Sequence, residues 1–187
     1  MELSSITPTP AALRALAHPL RVRMLALLRT EGPATATMLA ARLEMNTGAT
    51  SYHLRQLARH GFVEEDVERG NARDRWWRAV HQATRTDGDR YAEQGAQDTF
   101  DAYLQAIAVF YTQRLQQAVE ERALLPQEWR QASTYSDWSL RVSPARAREL
   151  KAAMAALVEG WEEEPAEADA GQFVVQLLAF PEPGTIR

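Results

Sequence analysis

Gly48, Tyr52, Arg55, Gln56 and Arg59 would share one face of a helix within Asn46–Phe62, N-T-G-A-T-S-Y-H-L-R-Q-L-A-R-H-G-F. Amide and phenol groups donate to and accept from base edges, while guanidiniums donate to them and also neutralise phosphates. No carboxylate interrupts the set. A solvated helix usually mixes both signs, whereas a helix meant for a DNA groove should exclude groups that phosphates repel. Thr47, Ser51 and His53 stand beside these residues and complete the candidate DNA contacts of the stretch. The alternative is a solvated helix that happens to lack acids.

A helix must carry this set. Asn46 is a suitable N-cap, because its side-chain oxygen accepts an unpaired backbone N–H of the first turn. Gly61 is a suitable residue just beyond the end, free to take a positive φ. Thr50, Leu54, Leu57 and Ala58 fall on the opposite face at helical spacing and should be its buried side. Upstream, residues 1–10 read as a loose Ser/Thr/Pro-rich arm. Short helices follow over 11–17, 20–29 and 35–43, the second burying Val22, Met24, Leu25, Leu27 and Leu28 and the third turning Met38, Leu39 and Leu43 inward. The turn Glu44-Met45-Asn46 then joins two helices by a few residues, a helix-turn-helix arrangement. After Gly61 the period changes to two. Strands over 62–67 and 75–80, joined by a Gly- and Asn-containing turn, form a hairpin, or wing, whose Arg69, Arg73 and Arg75 could straddle a phosphate backbone. Keeping an edge hairpin soluble is the competing role for those arginines.

The run Leu16-Ala17-His18-Pro19-Leu20-Arg21-Val22-Arg23-Met24-Leu25, then Ser51-Tyr52-His53-Leu54-Arg55-Gln56-Leu57, then His60-Gly61-Phe62-Val63, then a hairpin closing on Trp77-Arg78, resembles the ArsR/SmtB-like winged-helix repressors. The resemblance covers about residues 11–80. It implies a homodimer on a palindromic operator in double-stranded DNA, with the helix 46–60 in the major groove. The sequence departs from the family where metal is sensed. The third helix reads T-A-T-M-L-A without a cysteine pair, and the later long helix lacks a His or carboxylate–His pattern. No metal and no cofactor are expected. None of the four histidines pairs with another at i, i+4. His18 and His81 read as structural or capping residues, and His53 as either a phosphate contact or a half-buried packing residue.

The expected fold is mainly α with a small β content. A winged helix-turn-helix domain spans 1–80, and 81–187 hold a long dimerisation helix and a strand-helix-strand α/β unit. After a polar connector over 81–89, the long helix runs from Tyr91 to Arg122 and is apolar on more than one side, so more than one partner must cover it. Period-two alternation predicts a strand over 135–142. Ser143-Pro144 opens a helix that should bury Leu150, Met154, Leu157 and Trp161. An acidic loop follows, and 173–180 predict a second, near-continuously apolar strand. Two strands alone make a poor sheet, so extra pairing is expected, across the dimer for example. Residues 81–187 hold 11 of the 15 aromatics. An apolar effector pocket involving Tyr103, Tyr111 and Trp138 is one reading of that surplus, and an ordinary core is the other.

Charge is divided along the chain. Residues 1–79 carry 11 Arg against 8 Asp/Glu, and 80–187 carry 10 Arg/Lys against 17 Asp/Glu, within a formal net charge of −4 over 187 residues. A basic half joined to an acidic one suits a nucleic-acid reader with an attached non-binding part. The absence of cysteine removes disulfides and thiolate metal sites. No apolar run approaches the roughly 18 residues of a membrane span, and the acidic start lacks an export pattern, so a cytoplasmic protein is expected. No phosphate-binding glycine loop, nucleophile elbow or metal-ligand cluster marks an enzyme. A winged helix used only for protein–protein contact is the rival to DNA binding.

Overall fold

The computed structural model describes residues 4–70, 74–164 and 170–185. They form two compact units, Ser4–Gln117 and the residues from Ala118 onward.

In the first unit a short strand β1 (Ser5–Ile6) leads to α1 (Pro10–Leu16), whose N-cap Thr9 accepts from the Ala12 amide. Helix α2 (Pro19–Thr30) starts on His18, whose Nδ1 accepts from the Leu20 amide at 3.3 Å. A two-residue strand β2 (Ala34–Thr35) precedes α3 (Ala36–Arg42), which Thr35 caps. The chain reverses through Glu44, which takes φ +54, into α4 (Thr47–Arg59). As the sequence predicts, the Asn46 side chain accepts from the Ala49 amide at 2.8 Å, and Gly61 has φ +75. Thr50, Leu54 and Leu57 are fully buried, against α2, α3 and Phe62. Met38 is about half exposed, against the inward position expected of it.

Strands β3 (Val63–Glu65) and β4 (Trp76–Ala79) pair antiparallel, with Glu65 opposite Trp77. The sheet has a third member that periodicity could not announce, since β2 is only two residues long. It pairs with β4, giving the order β2-β4-β3 and tying the start of α3 to the hairpin. From Ser4 onward the N-terminal arm is also not loose. β1 pairs in parallel with β5 (Ala83–Thr84), and the buried Tyr91 hydroxyl donates to the Pro8 carbonyl.

The expected single helix from Tyr91 to Arg122 is two helices, α5 (Gly88–Glu93) and α6 (Gln97–Glu121). Gly95 separates them at φ +64, a conformation that an L side chain resists, so the helix ends there and restarts. Tyr91 and Tyr103 enter the same core as Leu13, Leu54 and Phe62. The boundary expected at residue 80 therefore falls inside this unit, which runs on to Gln117.

The second unit holds the end of α6, a 3₁₀ turn (Arg122–Leu124), α7 (Gln127–Ala132) and α8 (Pro144–Glu159). Ser143 caps α8 as expected, its hydroxyl accepting from the Arg146 amide. The two strands expected at 135–142 and 173–180 do not form: both segments lack ladder partners among the described residues. Alternation of side chains makes a segment suited to a sheet, but strand structure also needs a neighbouring backbone to bond with. The burial expected along α8 is likewise absent, with Leu150, Leu157 and Trp161 exposed and Met154 half-buried.

Candidate nucleic-acid interface

The geometry of α4 separates its two faces. On the outer face Thr47, Gly48, Tyr52, Arg55 and Arg59 are exposed, Tyr52 by 53%, while Ser51, His53 and Gln56 are half-buried. No acidic residue lies in the first turn of α4. A cleft of about 360 Å³ gathers Thr47, Ser51 and Arg55 from α4 with Arg75 from the hairpin. These four expected contacts, from segments some 20 residues apart in sequence, thus share one concave surface.

The same cleft is lined by Thr35 and Thr37 at the start of α3, and by Asp74 and Trp77. None of these was among the expected contacts. The threonine pair was legible as T-A-T, but only the short β2–β4 pairing brings it beside the hairpin. Asp74 places one carboxylate at the rim, so the acid-free character belongs to α4 rather than to the whole surface.

The hairpin arginines are less free than their sequence suggests. Arg69 lies 3.5 Å from Asp66, and Arg75 lies 3.1 Å from Glu65, with its guanidinium also over the Trp77 ring at 5.9 Å. Arg78 bonds Glu64. All three arginines are well exposed. Asp66 is buried, but Glu65 and Glu64 are exposed, and exposed pairs are worth about 0–1 kcal/mol, so a phosphate oxygen can replace the carboxylate of Glu65 or Glu64 at small cost. Arg73, the other expected wing contact, lies outside the described residues.

His53 is half-buried and packs against two aromatic rings. Its ring sits 4.7 Å from that of His18 and 5.3 Å from that of Tyr52. Its Nδ1 and the nearby Arg21 Nε are buried without a hydrogen-bond partner. Burial lowers the pKa of both histidines, and the Arg21 charge lowers both further; His53 also feels His18. The pair therefore favours the neutral form and couples the start of α2 to α4.

Tyr103 and Tyr111, two of the three residues expected in an effector pocket, belong to the first unit, and Trp138 to the second. Tyr103 is buried and Tyr111 half-buried near Arg29. Trp138 is 78% exposed. Among the described residues no cluster of His, Asp or Glu could hold a metal ion, and no helix is long and apolar enough to cross a membrane.

Comparison with known proteins agrees with this part of the chain. A family model described as a helix-turn-helix domain matches residues 16–66, from the end of α1 through β3. No curated protein matches the chain. Residues 16–66 are a helix-turn-helix domain, and such a domain points to a DNA-binding regulator.

Proposed function

We propose that the protein is a transcriptional repressor of the ArsR-like winged-helix type, binding a palindromic operator as a homodimer without thiolate metal sensing. In this reading α4 enters the major groove and the β3–β4 hairpin acts as a wing on the phosphates. The observation that carries it is the convergence of Thr47, Ser51 and Arg55 with Arg75 on one cleft, beside the exposed Tyr52 and Arg59 and on a helix face without acids. The dimer draws support from α6, where Leu104, Ala108 and Leu115 form an exposed apolar stripe beside the face that packs on the core. A small apolar effector acting near Tyr103 and Tyr111 belongs to the same proposal. A thermal-shift screen against wild type and Tyr111→Ala tests that part.

The test of the main reading is binding to operator DNA selected from a random pool. Arg55→Ala and Tyr52→Ala should each cost on the order of 1–3 kcal/mol on the selected site and relax its sequence preference. Arg73→Ala should weaken all DNA about equally. An Arg55→Ala protein that holds its operator as wild type does would overturn the groove assignment. The wing's ion pairs favour one rival, a winged helix that contacts only protein, because paired arginines spend part of their charge inside the hairpin. Binding to duplex DNA that does not weaken with added salt would select that rival.

A further inference from the structure

The second unit has the composition of a folded domain. None of its described residues is buried. Trp138, Trp161 and Phe180 are each more than 70% exposed, and Leu157 is 67% exposed. Apolar surface on this scale marks an interaction site rather than a free face. Helix α8 shows what fits it. Leu150, Ala153 and Leu157 recur at spacings of three and four along its exposed side, an apolar stripe at helical period, and the exposed Trp161 follows just past the helix end. The inward side is a different set, Met154, Ala155 and Val158.

The ends of that stripe differ in charge. Arg141, Arg146, Arg148 and Lys151 lie around its start, with Glu149 the one acid among them, and Glu159, Glu162, Glu163 and Glu164 lie around its end. An apolar stripe with one basic and one acidic end is complementary to itself when turned about a two-fold axis. We propose that α8 is a self-association surface: two copies of the chain pair their α8 stripes antiparallel, each basic end against the other's acidic end. Ala153, small and near the middle of the stripe, lets the helices approach closely. Such pairing removes Leu150, Leu157 and Trp161 from water together. The inference rests on the homodimer of the proposed function, but not on DNA binding, and adds a surface distinct from the α6 stripe.

The test uses the full chain without DNA, in low salt, by light scattering and sedimentation. Wild type should be dimeric. Leu157→Asp should weaken self-association tenfold or more. Two charge-reversed variants, Arg146→Glu with Arg148→Glu and Glu162→Lys with Glu164→Lys, should each self-associate at least tenfold more weakly. Mixed in equal amounts, the two should form a heterodimer as tight as wild type. That recovery could not follow from misfolding of either variant. Unchanged self-association in all three variants, with Leu104→Asp alone giving monomers, would overturn the α8 surface and assign the dimer to α6, leaving the proposed DNA reading intact. A reversed pair that fails to recover on mixing would also overturn it. A monomeric wild type would overturn both this surface and the homodimer.

Discussion

His18 and His53 are the residues whose chemistry changes most between sequence and structure. Neither has a His partner at helical spacing, yet the fold sets their rings 4.7 Å apart with Arg21 close by. The charges that shift them, Arg21 for both and His18 for His53, are cationic, so a proton on either ring meets burial and repulsion together. Their native pKa values lie below the ordinary value of about 6.5, so the folded state binds fewer protons than the unfolded chain. The contribution to stability is then fully present above about pH 6.5 and is lost as pH falls through the lowered native values. We expect the Tm of wild type to fall more steeply between about pH 7 and 5 than that of a His18→Gln/His53→Gln double variant. Parallel Tm curves for the two proteins would show that the pair does not couple α2 to α4.

At the scale of elements, what could be read from sequence was whatever a periodic run or a capping residue determines locally. α4 is the clearest case, from Asn46 through Gly61, and Ser143-Pro144 opens α8 for the same reason. What escaped reading was pairing at a distance. β2 and β1 are two residues each, too short for a period, and exist because β4 and β5 lie beside them. The segments 135–142 and 173–180 are the converse, with strand-like alternation and no partner among the described residues. Four expected contacts met in one cleft because α4 and the hairpin share a core, whereas the threonines of α3 needed a strand pairing to arrive there.

One side chain holds the connector after the hairpin in place. Arg29, at the end of α2, donates to the His81 carbonyl at 2.8 Å and to the Thr84 hydroxyl at 2.9 Å. Burial pulls its pKa down to about 10, so it is still charged at neutral pH. Hydrogen bonds from a charged group contribute about 1.5–3 kcal/mol, partly offset by the cost of burying that charge. Arg29→Met should therefore destabilise the first unit by about 1–3 kcal/mol in urea unfolding, with β1 and β5 losing amide-exchange protection first. An unchanged unfolding midpoint would place the connector's order elsewhere, in Tyr91 and Pro8.

Across the whole molecule the charges are sorted against the net sign. A chain of net charge −4 can approach DNA only through a local positive field, and the basic residues of 14–60, 7 Arg against 2 Glu, supply it. The hairpin weakens that field at its own surface, because Glu65 holds Arg75 at 3.1 Å. In the proposed complex a phosphate takes the place of Glu65, and the displaced carboxylate then stands near the duplex and repels it. Glu65→Gln removes both the competitor and the repulsion while leaving α4 untouched. The expected outcome is about three- to tenfold tighter binding to every duplex at low salt, a gain of about 1 kcal/mol, with operator preference unchanged. The proposed two-fold dimer would use the contact twice, so log affinity should fall more steeply with log salt by up to about two ion equivalents, and the preferred half-sites should stay about 10 base pairs, or a multiple, apart. Competition titrations over a salt series measure both quantities at once. If Glu65→Gln tightened the operator alone, the hairpin would be reading bases rather than holding phosphates, and the division of labour between α4 and the wing would have to be redrawn.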